Sequence, residues 1–195
     1  MRLLLLARHG QSALNVSGLV NGDPSRDAGL SPLGLDEARK LGGQIAGIAI
    51  DICVTSEFPR ARQTARLALE GRDGIPSETD GELNDVRIGE LEGRTLADYR
   101  TWKRAHTRQD PFPGGESLDD SARRYADAFE RLLDRNEATI LCVCHEIPVR
   151  YLVNSAAGSD NLDGPLHDVA NATPYAFDAD GLGRGIRRMR ELARS

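Results

Sequence analysis

Lysine is almost missing from this chain. Among 195 residues, 23 arginines stand beside two lysines, Lys40 and Lys103. Cysteine is nearly as scarce, with Cys53, Cys142 and Cys144 alone. Three cysteines in a chain of this size exclude a disulfide scaffold. With no CxxC they also give no zinc spacing. Long apolar runs are absent too. None exceeds Leu3 to Ala7, far short of the ~18 residues a membrane span needs. That run is also too short for a signal-peptide core, and Arg8-His9 follows it without a small-residue cleavage site. A cytoplasmic protein is expected. Positive charge is short as well: 25 Lys+Arg face 30 Asp+Glu, a formal charge of −5. A general nucleic-acid or membrane-surface binder is excluded, because phosphate backbones and anionic lipids would be repelled.

What is present reads as one domain over residues 1–195. Leu3 to Ala7, Asp51 to Val54 and Ala138 to Cys144 are short apolar runs bounded by polar loops. They suit strands covered on both faces. Helical signals lie between them. Ser31-Pro32 offers an N-cap and a first-turn proline, with Leu35, Ala38, Leu41 and Ile45 following at helical spacing. Ala61, Ala65 and Ala68 mark a second helix. Ser117 with Asp120 resembles a capping box, and Leu118, Ala122, Tyr125, Phe129 and Leu132 form the best helical stripe. A further helix follows from Glu146 to Ala157. The alternation predicts a three-layer α/β/α sandwich with a mainly parallel central sheet. Residues 80–116 interrupt it as a small inserted cap over one end of the sheet, with a short helix near Leu96 to Ala105. Tyr175 to Asp178 reads as an edge strand. Gly181-Leu182-Gly183 reads as a turn into Ile186 to Leu192, whose state stays open between strand and helix.

Sites in such sheets gather beyond the carboxyl ends of the strands. Arg8-His9-Gly10, Ser56 to Arg60, and His145 all fall there. Two arginines and two histidines at converging strand ends predict an anion pocket. A planar five-donor fork grips phosphate oxygens bidentately, which an ammonium does not. A neutral imidazole there can attack phosphorus and divide one hard displacement into two easier ones. A carboxylic acid must then protonate the leaving oxygen and later deprotonate water.

These residues also carry a resemblance. Arg8-His9-Gly10-Gln11-Ser12, with Asn15 and Asn21-Gly22 behind it, resembles the RHG signature of the histidine phosphatase superfamily, in its phosphoglycerate mutase-like branch. Arg60 to Ala65 is similar to its RAxQTA segment, Gly89 to Gly93 to its GxxEG segment, and Gly114 to Ser117 to its GGES segment. Cys144-His145 matches the second histidine, and Asn171-Ala172 a late Asn motif. The resemblance implies a phosphoglycerate mutase-like fold, His9 as a phosphorylated nucleophile, and Arg8, Arg60 and His145 around the phosphoryl oxygens. Asn15 and Asn21 would stand at the pocket edge. His145 would be cationic with phosphate bound. No metal ion and no cofactor is implied, and the ligand would be a small phosphate ester or inorganic phosphate. The resemblance also admits a homodimer.

Two positions depart from the family pattern. Asp85 stands where a glutamate proton donor is usual, with Glu82 as the alternative carboxylate. Glu146 stands where glycine is usual, and is expected to face solvent at its helix N-terminus. His106 and His167 read as surface residues, while Glu116 borders the site in relatives. Three functions remain open. The first is a metal-independent phosphomonoester hydrolase working through phosphohistidine. The second is a cofactor-dependent phosphoglycerate mutase. The third is a catalytically weak phospho-ligand binding protein. The length, and Leu14 in place of the tryptophan usual in mutases, favour the first.

Overall fold

The computed structural model describes residues 1–193. In chain order the elements are β1 (Leu3–Arg8), α1 (Ala13–Val16), α2 (Pro32–Gln44), β2 (Ile52–Thr55), α3 (Pro59–Ala68) and β3 (Ser77–Thr79). Then come α4 (Leu96–Ala105), α5 (Leu118–Leu133), β4 (Thr139–Cys144), α6 (Glu146–Ala156), β5 (Pro174–Asp178) and α7 (Ala179–Leu192). The sheet order is β3-β2-β4-β1-β5. The first four strands run parallel, and β5 pairs antiparallel with β1 at the edge.

Period-two alternation divides the strands between two cores. Leu4, Leu6, Ile140, Cys142 and Cys144 pack with Ala122, Phe129, Leu152 and Met189 from α5, α6 and α7. Leu5, Ala7, Cys53, Leu141 and Val143 pack with Leu41, Ala61 and Ala65 from α2 and α3. All three cysteines are free and buried as small hydrophobes. This is the expected α/β/α sandwich. The predicted caps are also in place: Ser31 Oγ accepts from Gly34 N at 3.1 Å, and Ser117 with Asp120 closes a capping box. Among the described residues, no helix is long and apolar enough to cross a membrane.

Two elements differ from expectation. β3 is three exposed residues, Ser77-Glu78-Thr79, with no apolar pattern to announce it. The glycines near residue 181 make no turn. They lie inside α7, which starts at once because Asp178 accepts from Gly181 N. Each glycine costs a helix about 1 kcal/mol against alanine. Packing reverses the preference here, since a Cβ on Gly185 would lie 2.7 Å from Leu152 Cδ1 on α6.

The chain between β3 and α5 carries its own apolar cluster. Val86, Ile88, Phe112 and Leu118 are buried, with Tyr99, Trp102 and Ile147 packed against them. This segment faces the carboxyl ends of β1, β2 and β4, where the polar residues converge.

Candidate active site

His9 leaves the end of β1 in a loop drawn tightly against α2. A Cβ on Gly10 would lie 2.5 Å from Gly34 O, so that approach requires glycine. Thr64 of α3 accepts from Gly10 N at 2.9 Å, and Asn171 Nδ2 donates to His9 O at 2.7 Å. The His9 backbone is therefore held from both sides.

The tautomers follow from the partners. Gly10 O can only accept, so His9 Nδ1 carries the proton and donates to it at 2.7 Å. His9 Nε2 then has a lone pair, which accepts from Arg60 Nε at 3.1 Å. Arg60 NH2 donates to His145 Nδ1 at 3.2 Å. His145 Nε2 must then carry the proton, given to Ser56 Oγ at 2.8 Å. The two rings meet edge to face at 5.3 Å between centroids. Both pKa values are held well below the ordinary 6.5, first by burial and then by the charge of Arg60. Near neutral pH both imidazoles are therefore neutral. A cationic His145 would need the opposing charge of a bound anion to overcome that burial.

Arg60 is the hub. Besides both histidines it donates to Asn21 Oδ1 and, from NH2, to Asn21 O at 3.2 Å and Asp85 Oδ2 at 3.3 Å. Asp27 was not singled out by sequence reasoning. Its side chain is fully buried, pairs with Arg60 NH1 at 3.4 Å and accepts from Arg60 N at 2.8 Å. It thus serves the start of α3, where Phe58 offers no capping side chain. Its spacing from Arg60 carried no signal.

Asn21 lines the cavity, but its amide hydrogens are engaged by Glu92 at 2.6 Å and Asp23 O at 2.8 Å. Its side chain holds Arg60 rather than reaching into the pocket. Asn15 lines the rim, where its Oδ1 accepts from Ser12 N at 3.0 Å and its NH2 group remains a donor. Arg8 NH1 donates to Val169 O at 2.8 Å, while its buried Nε has no hydrogen-bond partner.

Of the two candidate acids, the structure brings Asp85 to the site. Asp85 lines the cavity, one quarter exposed, with Oδ2 3.5 Å from His145 Nδ1. Glu82 is exposed and outside the lining. Burial raises the Asp85 carboxyl above its usual pKa, against the opposing pull of Arg60. Glu116 does not line the cavity either. It is buried against Arg124, which donates to Glu82 O at 2.7 Å and Asn84 O at 2.9 Å. That pair braces the segment ending in Asp85. Arg124→Met should therefore lower kcat about 10- to 100-fold and destabilise the fold by roughly 3–5 kcal/mol. Esters with poor leaving groups should suffer most, which comparison with an aryl phosphate would check.

Glu146 corrects an expectation. It faces the cavity rather than open solvent, 3.0 Å from Arg8 NH1 and 3.2 Å from Arg150 NH1. His167, read as a surface residue, is exposed but also lines the cavity mouth. The cavity measures about 390 Å³. Leu14, Leu19 and Leu96 line it together with Arg100 and Lys103.

The description "histidine phosphatase superfamily (branch 1)" matches residues 4–191. The chain belongs to the histidine phosphatase superfamily. Within it, the chain is 32% identical to the 2,3-bisphosphoglycerate-dependent phosphoglycerate mutase of Parvibaculum lavamentivorans, over 95% of this chain and 94% of that one. The solved alpha-ribazole phosphatase from Shigella flexneri superposes with a TM-score of 0.77, at 28% identity over 90% of each chain. A mycobacterial glucosyl-3-phosphoglycerate phosphatase, solved with VO3, superposes with a TM-score of 0.74. It is 26% identical and covers 90% of this chain and 92% of that one. The solved phosphatases thus share this fold, and a relative named as a mutase shares the sequence.

Proposed function

We propose that this histidine phosphatase superfamily member is a metal-independent phosphomonoester hydrolase, acting through phosphohistidine on a small phosphorylated metabolite. The observation that carries the reading is the His9 Nε2 lone pair held by Arg60 Nε, with the Asp85 carboxyl, its pKa raised by burial, on the same guanidinium. Arg8 and Arg60 bind the phosphoryl oxygens, with His145 beside them. Arg60 exchanges its bond to His9 for one to phosphate, which frees the nucleophile. His9 Nε2 attacks phosphorus, the ester P–O bond breaks, and Asp85 gives its proton to the leaving oxygen. The Asp85 carboxylate then takes a proton from water as that oxygen attacks phosphorus. The P–N bond breaks, and inorganic phosphate leaves with His9 restored.

The partly exposed Asp85 favours hydrolysis over mutase chemistry, since water can reach it beside phosphohistidine. The phosphatase names of the solved neighbours lean the same way, and the mutase names of sequence relatives lean the other. The test is a panel of phosphate esters in excess chelator, beside interconversion of 2- and 3-phosphoglycerate primed with 2,3-bisphosphoglycerate. Hydrolysis should continue in chelator and exceed interconversion at least about 100-fold, or ~2.7 kcal/mol in barrier. Dominant interconversion would make the protein a mutase. Phosphate binding with no turnover of any ester would make it a binding protein.

A further inference from the structure

Glu146 is a carboxylate placed against an anion pocket, and the mechanism above gives it no task. It opens α6 directly after His145 and lines the cavity. Its Oε2 stands 3.0 Å from Arg8 NH1, and its Oε1 3.2 Å from Arg150 NH1. Arg8 does not need it for placement, because Val169 O already anchors NH1 at 2.8 Å. Arg150 does not need it either, because Asp163 Oδ1 lies 3.2 Å from its NH2 and His167 O accepts from its NH1 at 2.9 Å. Both arginines would keep a partner if Glu146 were neutral.

What Glu146 changes is the potential at the cavity wall. Glu146 and Asp85 line the same cavity, close enough for the Glu146 charge to act on Asp85, so an ester whose leaving oxygen meets Asp85 passes this wall. A carboxylate there repels a second anion next to the phosphate, and it accepts a hydrogen bond from a hydroxyl. The effect is strong because the wall is partly desolvated: the Glu146 side chain is one third exposed. Nearby cations do not erase it, since the comparison concerns the same pocket with and without one charge.

We propose that Glu146 is a specificity-determining residue, a charge filter in the phosphate pocket that favours hydroxyl-bearing phosphoesters over those carrying a carboxylate beside the phosphate. The inference rests on the reading of the pocket as a phosphoester site. It names the chemical class selected there: polyol-like or sugar-like alcohol portions rather than phosphorylated hydroxy acids.

Glycerol 3-phosphate and 3-phosphoglycerate share one carbon skeleton and differ by CH2OH against carboxylate, so their ratio isolates the charge. Dissociation constants are measured by calorimetry in a His9→Ala background, which removes turnover. Glu146→Gln should shift the ratio of the two constants at least tenfold toward the carboxylate. Glu146→Asp, which keeps the charge, should stay within threefold of the parent. A variant that failed to fold would lose both ligands together, so inorganic phosphate binding near the parent's affinity first checks that it has folded. A ratio unmoved in Glu146→Gln overturns the proposal. Failure of the phosphohistidine reading shows separately, as ester hydrolysis by the parent protein that survives His9→Ala.

Discussion

His9→Ala is expected to lower kcat for aryl and alkyl phosphates by about 10⁴-fold or more, with phosphate affinity largely retained. The size follows from the step removed, the attack of the His9 Nε2 lone pair on phosphorus. His145 also has a lone pair, at Nδ1, but it is fully buried and does not line the cavity, whereas His9 does. Loss of a nucleophile removes the two-step route itself and not one contact along it. The measurement is steady-state hydrolysis, paired with an alkaline quench after brief exposure to radiolabelled substrate. Label should remain on the wild-type protein and be absent from the variant. Activity within tenfold of wild type would end the phosphohistidine mechanism.

The second large effect concerns Asp85. General acid catalysis contributes about 10²–10⁴-fold, so Asp85→Asn should lose that much on alkyl phosphates. On p-nitrophenyl phosphate, whose leaving oxygen needs little protonation, the loss in the first step should be slight. The pH profile gives an independent check. Asp85 acts in its protonated form, and its pKa is raised, so activity falls as pH rises through that raised value. His9 acts in its neutral form, and its pKa is well below 6.5, so activity falls on the acid side only below that lowered value. Wild type should therefore work best on the acid side of neutrality. Asp85→Asn should lose the alkaline limb and keep the acid one. An unchanged alkaline limb in the variant would remove Asp85 from the proton-transfer role. Glu82 then offers no substitute, being exposed and outside the cavity.

The arginine excess acquires distinct meanings through these contacts. Arg8 and Arg60 line the cavity beside His9, whereas Arg124 braces the segment ending in Asp85. Arg190, by contrast, pairs at the surface with Asp127 and Glu130. An exposed pair of that kind is worth about 0–1 kcal/mol. The planar guanidinium matters at Arg60 because one side chain meets two imidazoles, an amide and two carboxylates at once. A lysine there has three donors on one atom and could not span those positions.

Much of the fold was legible because its signals are local. Continuous apolar runs announced the three central strands, and capping residues with spaced apolar side chains announced α2 and α5. His9, Arg8, Arg60 and His145 were legible because strand ends are where α/β sheets gather polar groups. Asp27 and Arg124 were not, since they act on residues 33 and about 40 positions away. No spacing rule links residues that meet only after the layers pack. The glycines of α7 misled for a related reason: Asp178 caps the helix at Gly181, and α6 packs close at Gly185, a contact that a sequence window does not contain.

The sequence alone determined the three-layer class, the parallel central strands and the identity of Arg8, His9, Arg60 and His145, which meet at the candidate site. Periodicity and strand-end placement are properties of short segments. Tertiary structure decided that Asp85 and not Glu82 lies at the cavity, the hydrogen-bond tautomers of both histidines, and the inward face of Glu146. Those depend on which way a side chain points and on what surrounds it. Burial and the Arg60 charge set the protonation states, and both arise only when β1, α3, β4 and the segment bearing Asp85 are brought together.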